Sequence, residues 1–160
     1  MEFKSLLMNT KIAAIMDNDP ITISIDADFS QAQEKFLQHK VSHLVVVDEN
    51  NTLMGILSQK YLFKTQSPRR VVSEEIEYDS KVIIDGNTFY DKEMLDSFIL
   101  KHVMMKNPFS LSGEDSVAQA INSMSRKKLG CIPIVDKNMK VRGVVTHFEI
   151  IDFLSQHLTT

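Results

Sequence analysis

The 160-residue chain contains a single cysteine, Cys131. No intramolecular disulfide can form, and this cysteine usage fits a reducing compartment. Long apolar runs are missing too. None approaches the roughly 20 residues a helix needs to cross a bilayer. The opening residues, Met1-Glu2-Phe3-Lys4-Ser5, lack the basic start and apolar core of a secretory signal, so a cytoplasmic setting is expected. Neither sign of charge dominates. Lys plus Arg is 18 and Asp plus Glu is 21, a formal net charge of −3. That balance offers no general attraction to nucleic acid or an anionic membrane surface. No paired acid/base constellation or nucleophile motif stands out, so an enzyme is not expected. His39 and His43 have a metal-like spacing only if one helix carries both, and a helix-to-strand break is predicted between them. What remains is an ordinary globular composition, 43% hydrophobic and 24% charged.

The sequence repeats itself. Pro20 and Pro108 each follow a methionine, Met16 and Met104, by four residues, and the offset between them is 108 − 20 = 88. Sliding the chain by 88 aligns residues 12–64 with 100–152 without a gap. The identities are Met16, Pro20, Ser24, Gln31, Ala32, Lys40, Val47, Asp48, Asn50 and Gly55. Those 10 matches in 53 positions are about three times what random pairing gives at average residue usage. Conservative matches extend them: Leu44-Val45-Val46-Val47-Asp48 falls on Ile132-Pro133-Ile134-Val135-Asp136, and Gly55-Ile56-Leu57-Ser58 on Gly143-Val144-Val145-Thr146. Two copies of one supersecondary unit account for this.

Each copy reads as helix, strand, helix, strand, strand, helix. A short helix (residues 11–16; 96–104) stops before the proline, which restricts the residue preceding it. Thr10 is the expected N-cap of the first. Short strands follow over 21–23 and 109–111. Asp28 and Asp115 are expected to open helices whose apolar residues recur at helical spacing: Phe29, Ala32 and Phe36, then Val117, Ala120, Ile121 and Met124. The runs 44–47 and 132–135 are too short for helices and read as buried strands. Asp48-Glu49-Asn50-Asn51 and Asp136-Lys137-Asn138 supply turn chemistry into the return strands 53–57 and 141–145. Last helices are expected over 59–64 and 147–157. Between the copies, 81–84 and 88–90 flank Asp85-Gly86-Asn87 as a small hairpin. The expected division is residues 1–64 for repeat 1 with its N-terminal helix, 65–95 for the excursion, and 96–160 for repeat 2 with its C-terminal helix.

The Met-x3-Pro starts, the strand Ile132-Pro133-Ile134-Val135-Asp136 and the strand-to-helix stretch Gly143-x-x-Thr146-x-x-Glu149 resemble those of a tandem pair of CBS domains, the Bateman module. The resemblance covers about 105 residues in two blocks. It implies an α+β fold of two βαββ-type repeats, related by a pseudo-two-fold axis and packed through their sheets. It also implies a regulatory module that senses an adenosyl compound in a cleft between the repeats and modulates a partner protein. AMP, ADP, ATP, S-adenosylmethionine or a cyclic dinucleotide is the implied ligand, with no obligatory cofactor. A ligand-free scaffold built on a CBS-pair dimer is the alternative.

Carried over by position, the resemblance implies two unequal clefts. The first takes Ile21, Thr22, Ser42 and His43 at the base end, and Thr146, His147 and Glu149 at the sugar end. The second takes Phe109, Ser110, Gly130 and Cys131 at the base end, and Ser58, Gln59 and Tyr61 at the sugar end. A glycine ahead of a helix start lets backbone approach a ligand. The helix start offers N–H groups to a phosphate, and Thr146 or Ser58 adds a hydroxyl. Glu149 stands where the family has Asp, keeping the carboxylate on a longer stem. Tyr61 removes the acid, and Val45 replaces the strand proline. Each residue also has a plainer role: Thr146 as a helix N-cap, Glu149 as a first-turn anion, Cys131 as a small buried apolar group. A homodimer is expected, with Ile12, Ile15, Phe98, Ile99, Ile151, Phe153 and Leu154 as candidates for its shared face.

Overall fold

In the computed structural model of the protein, residues 3–60, 82–83, 89–90 and 103–158 are described. Asp28 opens a helix for a local reason. Its carboxylate accepts the Gln31 N–H at 2.8 Å, and the Gln31 side chain accepts the Asp28 N–H at 3.0 Å. This reciprocal capping box starts α2, Phe29–His39, after α1, Phe3–Asn9, and strand β1, Thr22–Ser24. Phe29, Ala32 and Phe36 are its buried face. The helix ends at Lys40, held at φ 53°, and the chain turns back as β2, His43–Val47. Asp48 N–H to Thr52 C=O then closes the turn into β3, Leu53–Ser58.

The second copy repeats each step. Ser116, at the position of Asp28 plus 88, accepts the Gln119 N–H at 3.2 Å and starts α3, Val117–Lys127. Asp115, the expected opener, instead accepts the Ser112 N–H at 2.8 Å, one residue too early to cap the helix. Lys128 matches Lys40 at φ 57°, and Met139 matches Asn51 at φ 60°. Strands β7, Cys131–Val135, and β8, Val141–Thr146, pair antiparallel with Cys131 opposite Thr146. Helix α4, His147–Leu158, follows at once. The expected hairpin is present as β4, Val82–Ile83, and β5, Phe89–Tyr90, paired antiparallel. The last short strand is β6, Met105–Lys106.

The compact units do not follow the repeats. Among the described residues, a terminal unit gathers 3–20, 47–54 and 107–158, and a central unit gathers 21–46, 55–60, 82–83, 89–90 and 103–106. The reason lies in an exchange of lead-in segments. In the central unit, β6 pairs with β3, Ile56 opposite Met105, to complete the order β1-β2-β3-β6. In the terminal unit Asp17 bridges Val144, the same pair shifted by 88, and Leu111 bridges Ile134 in parallel. Each repeat's sheet is therefore finished by the segment that leads into the other repeat. Gly55 and Gly143 make room for this. A Cβ on Gly55 would lie 2.6 Å from Met104 Sδ, and one on Gly143 would lie 2.6 Å from Asp17 O and 2.8 Å from Met16 Sδ.

Several expectations are corrected. The helix expected over 11–16 is a single 3-10 turn, Ile12–Ala14, because Ile12 and Ala13 N–H groups are drawn to Asp115 and Gly113 carbonyls. Thr10 caps nothing at its start: its hydroxyl donates to Leu6 C=O at 2.8 Å, closing α1 instead. The strand expected over 109–111 reduces to the single bridge at Leu111. Ile12 (0% exposed) and Phe153 (7%) belong to the core of the terminal unit with Val117, Ile132, Ile134 and Val145, so neither is free for a shared face. Ile15 and Leu154 pack against that core, while Phe98 and Ile99 lie outside the described residues.

Candidate functional site

Strand β8 delivers Thr146 to the start of α4, and the two ends meet in one polar knot. The Thr146 hydroxyl accepts the Phe148 N–H at 3.2 Å. Glu149 folds back so that its Oε2 accepts both the Thr146 N–H, at 2.6 Å, and the Thr146 O–H, at 2.5 Å. Thr146 and Glu149 are half-buried and His147 is exposed. The threonine hydroxyl caps the helix through the Phe148 N–H, and the glutamate reaches back to the Thr146 N–H, so both residues already serve the helix start.

The same end of the β7–β8 pair carries Cys131, directly across from Thr146. It is 4% exposed. Burial, then the nearby Glu149 charge, push its thiol up to about 12. A thiol held protonated is no nucleophile at neutral pH. Cys131 therefore serves as a small apolar residue at the edge of the core. Gly130, beside it, is half-buried. Phe109 and Ser110 are half-buried ahead of the Leu111 bridge. Phe109 packs on the core, and the Lys127 ammonium stands 4.9 Å over its ring. Lys127 was not singled out from sequence; its position in the basic last turn of α3, Arg126-Lys127, was the available signal.

The central unit shows the counterpart arrangement. Ser58 Oγ accepts the Lys60 N–H at 3.3 Å, the Thr146–Phe148 contact moved by 88. Gln59 N–H donates to Ser42 C=O at 2.9 Å, and Val45 N–H to Ile21 C=O at 3.2 Å. Ile21, Thr22, His43, Ser58 and Gln59 are half-buried, and Ser42 is exposed. Tyr61 lies outside the described residues. In each unit, the base-end residues expected for one cleft thus lie at the same sheet end as the sugar-end residues expected for the other. The glycine expected to let backbone approach a ligand, Gly143, is approached by the chain itself, since Asp17 O and Met16 Sδ stand where its Cβ would be.

On α4, Phe148, Glu149, Ile151, Asp152 and Ser155 line a shallow open depression. Phe148 is 78%, Ile151 62% and Leu158 74% exposed, an apolar stripe on one helix. Among the described residues, no three His, Cys, Asp or Glu side chains gather as a metal-holding group, and no helix is long and apolar enough to cross a membrane.

A sequence profile described as the CBS domain matches residues 12–67 and 100–156. The chain is 24% identical over 148 residues to a CBS domain-containing protein of Dictyostelium discoideum, covering 92% of each. It is 22% identical to the homoserine O-acetyltransferase of Methanosphaera stadtmanae and 20% identical to the choline transport ATP-binding protein OpuBA of Bacillus subtilis. It covers 89% and 92% of itself in those matches but only 24% and 32% of the relatives. Among solved structures it is similar to the CBS domain pair of protein MJ0100, in complex with 5′-methylthioadenosine and S-adenosyl-L-methionine, at TM-score 0.69 and 20% identity over 92% of this chain and 98% of that one. It is also similar to CBSX2 in complex with AMP, at TM-score 0.72 and 17% identity over 94% and 99% of the two chains.

Proposed function

We propose, from the premise that this chain belongs to the CBS domain family, that it is a non-catalytic regulatory module whose occupancy by an adenosyl compound modulates a partner protein. The observation that carries this is the Thr146–Glu149 pair at the start of α4: a hydroxyl, a carboxylate and a helix N-terminus within hydrogen-bond reach of one another. A carboxylate offers about four acceptor sites, so with both Thr146 donors on Oε2 the other oxygen is left to accept ribose hydroxyls. Thr146, His147 and Glu149 take the sugar end in this reading, and Ile21, Thr22, Ser42 and His43 the base end. The second set, Phe109, Ser110, Gly130 and Cys131 with Ser58, Gln59 and Tyr61, has no acid at the sugar end and a lysine already over Phe109, which makes it the poorer adenosyl site.

Two similar proteins were solved with adenosyl ligands, and a third is a transport ATP-binding protein; these support the ligand class and the idea of a regulated partner. The test is a thermal-shift titration of the intact chain with AMP, ADP, ATP, S-adenosylmethionine and cyclic dinucleotides. A ligand bound only by the folded state stabilises it by RT ln(1 + [L]/Kd). Stabilisation by at least one compound, reduced in Thr146→Val, is expected; no shift with any of them at millimolar concentration refutes the reading.

The exposed stripe Phe148, Ile151 and Leu158 favours a second reading, in which the chain is a homodimeric scaffold that needs no ligand. Sedimentation at tens of micromolar, with Ile151→Asp as the interface variant, tests the dimer. A monomeric wild type rules it out.

A further inference from the structure

We propose that the Thr146 position selects an adenosyl compound with no 5′-phosphate, neutral or cationic at that end, because Glu149 already holds the donors a phosphate would use. This rests on the adenosyl reading above and makes its ligand class narrower. Three polar hydrogens converge where β8 passes into α4. Thr146 N–H and Thr146 O–H both end on Glu149 Oε2, at 2.6 and 2.5 Å, and Phe148 N–H ends on the Thr146 hydroxyl at 3.2 Å. A phosphate that takes up the Thr146 donors has to break both bonds to the carboxylate and then lie beside it, or drive Glu149 out of its cap. A ribose with a neutral thioether or a sulfonium at C5′ needs neither step. A cationic sulfonium is drawn towards the same carboxylate that repels a phosphate.

Other charges on the element agree. Helix α4 carries Asp152 one turn beyond Glu149 and has no Lys or Arg from His147 to Leu158. Glu149 also lies near the thiol of Cys131, opposite Thr146, and after burial is the second cause that pushes that thiol up. Among the described residues this closure is found in the second repeat. Ser58 has the Lys60 N–H on its hydroxyl, as Thr146 has Phe148, yet position 61 is a tyrosine with no carboxylate to fold back.

Calorimetric titration of the intact chain with 5′-methylthioadenosine, S-adenosylmethionine and AMP tests the proposal. Wild type is expected to bind one of the first two at least ~10-fold tighter than AMP, the worth of one charge-assisted hydrogen bond. Glu149→Ala frees the Thr146 donors and moves the ratio towards AMP by ~10- to 100-fold. Glu149→Gln keeps an acceptor for the cap but loses the charge, so it moves the ratio in the same direction by less; it carries the test alone if the alanine variant does not fold. AMP bound by wild type as tightly as both other compounds, or a ratio unmoved in both variants, overturns the proposal while leaving the adenosyl reading standing. No binding of any of the three to wild type or either variant overturns both.

Discussion

Gly143→Ala should destabilise the ligand-free protein by about 2–4 kcal/mol. The added Cβ would sit 2.6 Å from the Asp17 carbonyl oxygen and 2.8 Å from Met16 Sδ. A sulfur on a flexible side chain can step aside. The carbonyl cannot, because Asp17 N–H donates to Val144 C=O and its own C=O accepts the Val144 N–H, both at 3.0 Å. Overpacking a well-filled site costs ~1–3 kcal/mol. Pulling Asp17 back weakens two backbone bonds worth ~0.5–1.5 kcal/mol each. For a chain of this length the sum lowers Tm by roughly 5–15 °C. Urea unfolding without ligand measures it. Gly113→Ala is the control, since its Cβ would meet Ala13 Cβ at 3.2 Å and the Ala13 backbone no nearer than 3.9 Å, and should cost less than ~1 kcal/mol. Met16→Ala added to Gly143→Ala should recover the sulfur's share and leave the backbone's. The alternative use of Gly143, room for a ligand, puts no cost on the empty protein. A Gly143→Ala variant within about 0.5 kcal/mol of wild type without ligand would therefore refute the argument from lead-in exchange.

Acid should loosen the two β-turns. Asp48 is held below its ordinary 3.8 chiefly by the Thr52 backbone N–H, and Asp136 chiefly by the Arg142 side chain. A depressed folded pKa gives stability that is present above the unfolded value and lost as pH falls through the folded one, so the urea midpoint should drop below about pH 4 and drop less in Asp48→Asn/Asp136→Asn. An equal drop in the double variant counts against this. Cys131, with its thiol pushed to about 12, should resist alkylation at pH 8 until the chain is unfolded in urea; labelling at the rate of a free thiol in native buffer contradicts its burial. Asp28→Ala removes a capping box and should cost ~1 kcal/mol in the same urea assay, with no change bearing against the cap. Lys140 Nζ donates to Asn50 C=O at 2.6 Å and to Thr52 Oγ1 at 3.0 Å, so Lys140→Met should cost about 1 kcal/mol; a neutral result shows the turn at 48–52 is held by backbone pairing alone.

The repeat made the fold legible, because local rules and the 88-residue offset agree where structure is local. Asp28 with Gln31, the apolar runs into β2 and β7, and the Asp-led turns are each readable within a few residues. The offset could have corrected one error: it aligns Asp28 with Ser116, so Ser116 was the better cap. The lead-in segments were not readable in this way. Nothing within Thr10–Met16 says that Ile12 N–H will seek Asp115 C=O, a partner over 100 residues away. That long-range pairing outweighs helix propensity and leaves one 3-10 turn where six helical residues looked plausible.

The site shows where residue types cease to be informative. A Thr and a Glu three apart at a helix start serve as a helix cap or as a sugar site with the same side chains. Sequence gives no means of ranking the two roles. The structure adds that both donors of Thr146 end on one oxygen of Glu149, so a phosphate seeking them competes with the protein's own carboxylate. The same acid therefore has opposite effects on different parts of a ligand. It is an acceptor for hydroxyls and a rival for phosphate. The longer Glu reaches back to its own cap, and the helix start at Ser58, with Tyr61 at the matching position, has no carboxylate to do the same.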